Sequence, residues 1–109
     1  MIDELEFQRK AETALQDLFD VLGEAGEMHG FESDFNAGAL TVEFDDPPAK
    51  FVVSPNSPVR QIWISAHSTS FKLDWDQARN AFVLPASGQT LKEVLAEAIG
   101  KQLGDTVHL

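Results

Sequence analysis

The stretch VRQIWISA, residues 59–66, decides how this chain folds. Its alternation of apolar and polar residues predicts a strand, whose successive side chains face opposite sides of a sheet. One side presents Arg60, Ile62, Ile64 and Ala66, and the other presents Val59, Gln61, Trp63 and Ser65. The isoleucines assign the first set to the core. Trp63, one of two tryptophans, is therefore predicted to face away from the core beside Gln61.

The same two-residue period continues on both sides of this stretch. Further strand candidates are FESDFN (31–36), ALTVEFD (39–45), KFVVS (50–54), FKLDWD (71–76) and NAFVLP (80–85). Between the first two, Asn36, Ala37 and Gly38 predict a hairpin turn. The pattern predicts an antiparallel meander of about six strands.

Helical periodicity replaces this pattern at both ends of the chain. Apolar residues recur at spacings of three and four from Phe7 to Ala25, and the glycines at 23, 26 and 30 mark the region where this helix should end. Near the other end, Thr90 and Glu93 fit a capping box ahead of an apolar stripe. The order helix, strands, helix predicts a single α+β domain over residues 1–109, a two-layer sandwich with both helices on one face of the sheet.

Charge and composition limit the classes of function. The chain has eighteen acidic and eight basic residues, a formal net charge of −10, and no cysteine. Such a surface repels nucleic acids and anionic membranes and attracts cations and basic protein surfaces. The lack of cysteine excludes disulfides, thiolate metal sites and thiol nucleophiles, and no apolar run approaches membrane-spanning length. We expect a cytoplasmic protein without a nucleic-acid or membrane partner.

A second stripe on the first helix is acidic at six of its eight positions and flanks the apolar face. Its members are Asp3, Glu6, Lys10, Thr13, Asp17, Asp20, Glu24 and Glu27. Carboxylate oxygens suit Mg²⁺, Ca²⁺, Mn²⁺ or iron, but an exposed row without histidine would bind weakly and with little selectivity. The alternative is a solvated face that keeps the protein soluble. No nucleophile elbow or phosphate-binding loop is present, so no catalytic residues are predicted.

The predicted uncovered face of the sheet provides a second candidate site. Six strands make a sheet about 29 Å wide, and two helices of about 10 Å diameter cover only one side. Trp63 and Gln61 should lie on the other side with Lys72, Asp74 and Asp76, whereas Phe71, Leu73 and Trp75 should be buried. An amphipathic aromatic ring beside an amide suits a protein–protein contact. Alternatively, the PNSP (55–58) or HSTS (67–70) loop shields the ring.

The chain resembles the frataxins, specifically the bacterial CyaY type, over nearly its whole length. The matching segments are EFQRKAETAL, NAGALTVEF, SPVRQIWIS, SGQTLKEVL and GDTV. The most specific residues are Pro58, Gln61, Ile62 and Trp63 in one strand, preceded by Asn36, Gly38, Leu40 and Thr41. The chain departs from the family where Ser54 replaces a common asparagine and where apolar and glycine residues interrupt the acidic run of the first helix.

The resemblance implies an iron-binding accessory protein of iron–sulfur cluster assembly. Such a protein binds ferrous and ferric iron weakly and docks on the cysteine desulfurase and scaffold complex, as an iron carrier or a regulator. Carried over by position, the acidic ridge that binds metal consists of Asp3, Asp17, Asp20, Glu24, Glu27, Glu32 and Asp34. The implied partner-binding residues are Gln61 and Trp63, and we add Asp20 and Glu24 of the ridge.

Two other functions stay open at this point. The resemblance also allows a weak ferroxidase, since carboxylates favour the harder ferric ion. The other is an acidic interaction module without a metal role, such as a mimic of nucleic acid. A mimic would spread its acids over the whole surface, whereas the acids here concentrate on one helix edge and the adjoining strands. We expect a monomer that forms oligomers only with iron.

Overall fold

The computed structural model of the chain describes residues 2–45 and 48–109. Its elements are α1 (Glu4–His29), β1 (Glu32–Asn36), β2 (Ala39–Asp45), β3 (Pro48–Asn56), a short 3₁₀ helix (Ser57–Val59), β4 (Gln61–Ala66), β5 (Thr69–Asp76), β6 (Ala81–Val83) and α2 (Leu91–Leu103). Each strand pairs antiparallel with the next, in the order β1-β2-β3-β4-β5-β6. The predicted α+β sandwich with a six-stranded meander is confirmed.

Local hydrogen bonds define the ends of both helices. The Oδ1 atom of Asp3 accepts from the backbone N–H of Glu6 at 2.8 Å, and α1 ends where Gly30 adopts a left-handed φ of 80°. At α2 the predicted capping box is confirmed, because Thr90 and Glu93 each accept from the other's backbone N–H. These contacts satisfy backbone donors that the first turn of a helix leaves unpaired.

Both helices pack on the same face of the sheet and form one buried cluster with it. Ile62 and Ile64 have 0% of their surface exposed and belong to this cluster with Leu15, Leu22 and Leu95. The prediction that the two isoleucines face the core is therefore confirmed. Within the residues that the structure describes, no helix covers the opposite face of the sheet, as the width of the sheet predicted.

The observed strands differ from the predicted ones in their bounds and in the burial of two residues. The strand β4 begins at Gln61 rather than at Val59, because Ser57–Val59 form a 3₁₀ helix that is closed by Arg60 with a left-handed φ of 52°. Val59 is accordingly 52% exposed.

The predicted burial of Phe71 and Trp75 is also wrong, since both are only half-buried, whereas Leu73 between them is fully buried. Phe71 lines a cavity beside α2, and Trp75 lines a cavity of about 420 Å³ between α1, β6 and the start of α2. The helices therefore cover the middle of β5 but leave gaps at both of its ends.

Within residues 2–45 and 48–109, neither helix combines the length and the apolar character needed to cross a lipid bilayer.

Candidate functional site

Trp63 lies near the middle of the uncovered face of the sheet. It is directly opposite Ser54 of β3 and Lys72 of β5, and directly opposed residues of paired strands point to the same side. The predicted side of Trp63 and Gln61 is therefore confirmed. Both residues are half-buried rather than exposed, because side chains of neighbouring positions lie against them.

Hydrogen bonds join three side chains of this face. The indole Nε1 of Trp63 donates to Oε1 of Gln61 at 2.9 Å, and Nε2 of Gln61 donates to Oδ1 of Asp74 at 3.0 Å. The Nζ atom of Lys72 lies 5.0 Å from the centroid of the Trp63 ring, within the range of a cation–π interaction. These polar contacts to the ring come from β4 and β5 rather than from the PNSP or HSTS loops.

The acids of β1 and β2 lie on the same face as Trp63. Asp34 is directly opposite Thr41 of β2, Thr41 is opposite Val52 of β3, and Val52 is opposite Ser65 of β4. Ser65 points to the same side of β4 as Trp63, so Asp34 does too. Strand spacing places β1 about 14 Å from β4 across the sheet. The uncovered face therefore combines a central aromatic residue with an acidic edge that contains Glu32, Asp34 and Glu43, all exposed.

The seven residues of the predicted acidic ridge are all exposed, but they lie on two different layers of the fold. Glu32 and Asp34 face the uncovered side of the sheet, whereas the acids of α1 lie on the helical layer. Glu27 and Glu32 both line one groove at the edge of the sheet. Asp17 lines the cavity beside Trp75, on the side of α1 that faces α2.

The remaining residues of the ridge lie along α1. Asp20 and Glu24 are one turn apart and continue towards Glu27, so these three residues share one exposed edge. Asp3 lies about 36 Å from Glu27 along the helix axis, and its carboxylate caps the helix. Among residues 2–45 and 48–109, no three histidine, aspartate or glutamate side chains converge on a common metal position. Metal binding by the ridge stays a prediction.

Sequence reasoning missed the partners of Gln61 and Trp63. It placed Asp74 and Lys72 on the uncovered face but did not assign them to contacts. The only available signal was their alternate spacing on β5, which gives the face of a residue but not its neighbour across the strands. It also missed Lys10, whose Nζ lies 5.3 Å from the ring centroid of Trp75.

Comparison with known proteins assigns the chain to a family. Residues 1–105 match the family model of the frataxin-like domain. The iron–sulfur cluster assembly protein CyaY of Azotobacter vinelandii is 34% identical over 73 residues, which are 67% of this chain and 66% of that relative. The CyaY protein of Pseudomonas syringae pv. tomato is 30% identical over 103 residues, which are 94% of this chain and 91% of that relative.

A solved structure agrees with these sequence matches. The frataxin from Psychromonas ingrahamii superposes with a TM-score of 0.76 at 25% identity, covering 98% of this chain and 97% of that one. The two chains therefore share one overall fold. The chain therefore belongs to the frataxin family, and within it to the bacterial CyaY type.

Proposed function

We propose that this protein is an iron-binding accessory protein of iron–sulfur cluster assembly, and that it acts by binding rather than by catalysis. Its relatives in Azotobacter and Pseudomonas are named iron–sulfur cluster assembly proteins. The observation that supports the proposal most strongly is the position of Trp63, which is hydrogen-bonded to Gln61 on a sheet face that neither helix covers.

The proposed partner is the complex of a cysteine desulfurase with its scaffold protein. Aromatic residues at the centre of an interface commonly contribute most of the binding energy, and charged residues at its rim steer association. Trp63 and Gln61 fit the centre, and Glu32 and Asp34 fit the rim on the same face. The net charge of −10 favours a basic surface on the partner.

Asp20 and Glu24 on α1 are proposed as a second, more distant rim. They lie on the helical layer, so a flat surface that covers Trp63 reaches them only by extending around the edge of the sheet. A partner with two basic surfaces could contact both layers. Their contribution is therefore expected to be smaller and more sensitive to salt than that of Trp63.

Iron is proposed as cargo that is held loosely by neighbouring carboxylates. Glu27 and Glu32 line one groove, and Glu32 is directly opposite Glu43 on the next strand. A cation at these positions would relieve the repulsion between like charges. Exposed carboxylate pairs favour weak and reversible binding, which suits a carrier or a regulator.

The proposal is tested by titrating the protein into a purified cysteine desulfurase–scaffold complex at low and at moderate salt. We expect Trp63→Ala to weaken binding at least tenfold at both salt concentrations. Leu5→Ala is the matched control, because Leu5 is a large apolar residue of α1 that is 60% exposed. The double variant Asp20→Lys with Glu24→Lys should weaken binding mainly at low salt. An unaltered protein that does not bind the complex would refute the proposed function.

A further inference from the structure

We propose that Asp74 is a positioning residue for Trp63: acting through Gln61, its carboxylate holds the indole in the orientation that a partner contacts. This inference rests on the proposed docking of the uncovered sheet face. It adds a residue of β5 to a site for which the family resemblance indicated only two residues of β4.

The register of the sheet brings Asp74 to Gln61. The two residues are directly opposite each other on β4 and β5, so their side chains leave the sheet on the same side. The carboxylate oxygen Oδ1 of Asp74 lies 3.0 Å from Nε2 of Gln61, and Oε1 of Gln61 lies 2.9 Å from Nε1 of Trp63. The carboxylate is therefore linked to the indole through a single amide.

The hydrogen-bonding groups of Asp74 and Trp63 determine the orientation of the Gln61 amide between them. An ionised carboxylate only accepts hydrogen bonds, and an indole N–H only donates them. Gln61 satisfies both neighbours only when its NH₂ group points to Asp74 and its oxygen points to Trp63. Without the carboxylate, the amide could rotate and present NH₂ to the indole, which would break the bond to Trp63.

Lys72 supports the same ring from another direction. It is directly opposite Trp63, and its Nζ lies 5.0 Å from the ring centroid. The strand β5 therefore supplies two supports, Asp74 and Lys72, for one contact residue of β4. Because the indole N–H is already bonded within the protein, the part of Trp63 offered to a partner is apolar. The partner would pack against the ring without having to supply a hydrogen-bond acceptor.

Ordering a side chain before binding lowers the entropy lost on association. Loss of this ordering at one aromatic residue is expected to reduce affinity about three- to tenfold. The effect should be smaller than the loss from removing the ring itself, since the contact surface of Trp63 is still present.

The first measurement needs no partner. The indole N–H groups of Trp63 and Trp75 give two signals in a ¹⁵N–¹H spectrum, and Trp75 faces the other side of the sheet. In Asp74→Ala we expect the Trp63 signal to shift and its N–H to exchange faster, with a smaller change at Trp75. In Asp74→Asn, which also lacks the charge but keeps an acceptor oxygen, the Trp63 signal should stay close to its original position.

The second measurement is affinity for the purified cysteine desulfurase–scaffold complex. Asp74→Ala should bind about three- to tenfold more weakly than the unaltered protein, and Asp74→Asn should recover most of that loss. Because both variants lose the same charge, a difference between them reports the hydrogen bond rather than the net charge. Circular dichroism and urea unfolding establish that both variants are folded.

The outcomes separate this inference from the proposed function. If Trp63→Ala weakens binding but Asp74→Ala leaves the indole signal or the affinity unchanged, Asp74 does not position the ring and only this inference is refuted. Equal losses in Asp74→Ala and Asp74→Asn would also refute it, because charge would then explain the effect. If Trp63→Ala binds as well as the unaltered protein, the proposed docking face is refuted and this inference with it.

Discussion

Glu32 and Glu43 lie directly opposite each other on β1 and β2, on the face of the sheet that neither helix covers. Directly opposed like charges destabilise a sheet. Glu43 also has Lys50 opposite it on β3, whereas Glu32 belongs to the edge strand. A charged edge strand discourages pairing with another chain, and it also attracts cations.

The first prediction concerns this pair. Glu32→Gln removes the like-charge repulsion and should raise the free energy of unfolding by about 0.2–1 kcal/mol at low salt. The gain should shrink at high salt, where exposed charges are screened. Asp34→Asn is the control, because Asp34 faces Thr41 rather than a second acid. Urea unfolding at two salt concentrations measures the difference, and equal gains in both variants would contradict the explanation.

The second prediction concerns iron. Anaerobic addition of Fe²⁺ should first affect the amide signals of Glu27, Glu32 and Glu43, since Glu27 and Glu32 line one groove and Glu43 is directly opposite Glu32, and then those of Asp20 and Glu24. Asp3 should respond less, since its carboxylate caps α1. Glu32→Gln should raise the iron concentration required. Signal changes confined to Asp74, or absent from the acidic edge, would count against the ridge.

The third prediction uses two glycines of α1 as controls for each other. A Cβ atom at Gly23 would meet nothing within 4 Å, so Gly23→Ala should raise the free energy of unfolding by about 0.5–1 kcal/mol. A Cβ atom at Gly26 would lie 2.5 Å from the backbone oxygen of Phe31, so Gly26→Ala should destabilise the protein. Urea unfolding measures both changes, and stabilisation by both variants would show that Gly26 and Phe31 are not this close.

The fourth prediction compares adjacent residues of β4. Ile62→Ala should lower the free energy of unfolding by about 2–5 kcal/mol, because Ile62 is fully buried. Trp63→Ala should lower it by about 1 kcal/mol, mainly through the lost hydrogen bond to Gln61. Urea unfolding measures both changes. A larger loss for Trp63→Ala than for Ile62→Ala would mean that the two faces of β4 are exchanged.

The fifth prediction concerns pH. Hydrogen bonds from the backbone N–H and the hydroxyl of Thr90 lower the pKa of Glu93 from its ordinary value of 4.5. A lowered pKa in the folded state means that the stabilisation is fully present above pH 4.5 and is lost as pH falls through the lowered value. The unaltered protein should therefore lose more stability between pH 5 and pH 2 than Glu93→Gln. Equal losses in urea unfolding would contradict this role of the capping box.

Much of the fold could be predicted from short-range pattern. The alternation around Ile62 and Ile64 was sufficient to identify the core side of β4, and therefore the side of Trp63. Successive side chains of a strand alternate between its two sides whichever strands are its neighbours. The capping box of Thr90 and Glu93 was equally predictable, since both partners lie within four residues of each other. These features depend on the geometry of one element and on local hydrogen bonds.

Tertiary structure alone decided which residues touch. Gln61 meets Asp74 because the turn through His67 and Ser68, both with positive φ, aligns β4 with β5 in this register. Asp17 and Asp34 both fitted an acidic ridge, yet the rotation of α1 and the pairing of β1 place them on opposite sides of the sheet. Periodicity gives the direction of a side chain within its own element, whereas its neighbours depend on how elements pack. The sequence therefore determined the layers and the face of Trp63, and only packing and register determined what contacts it.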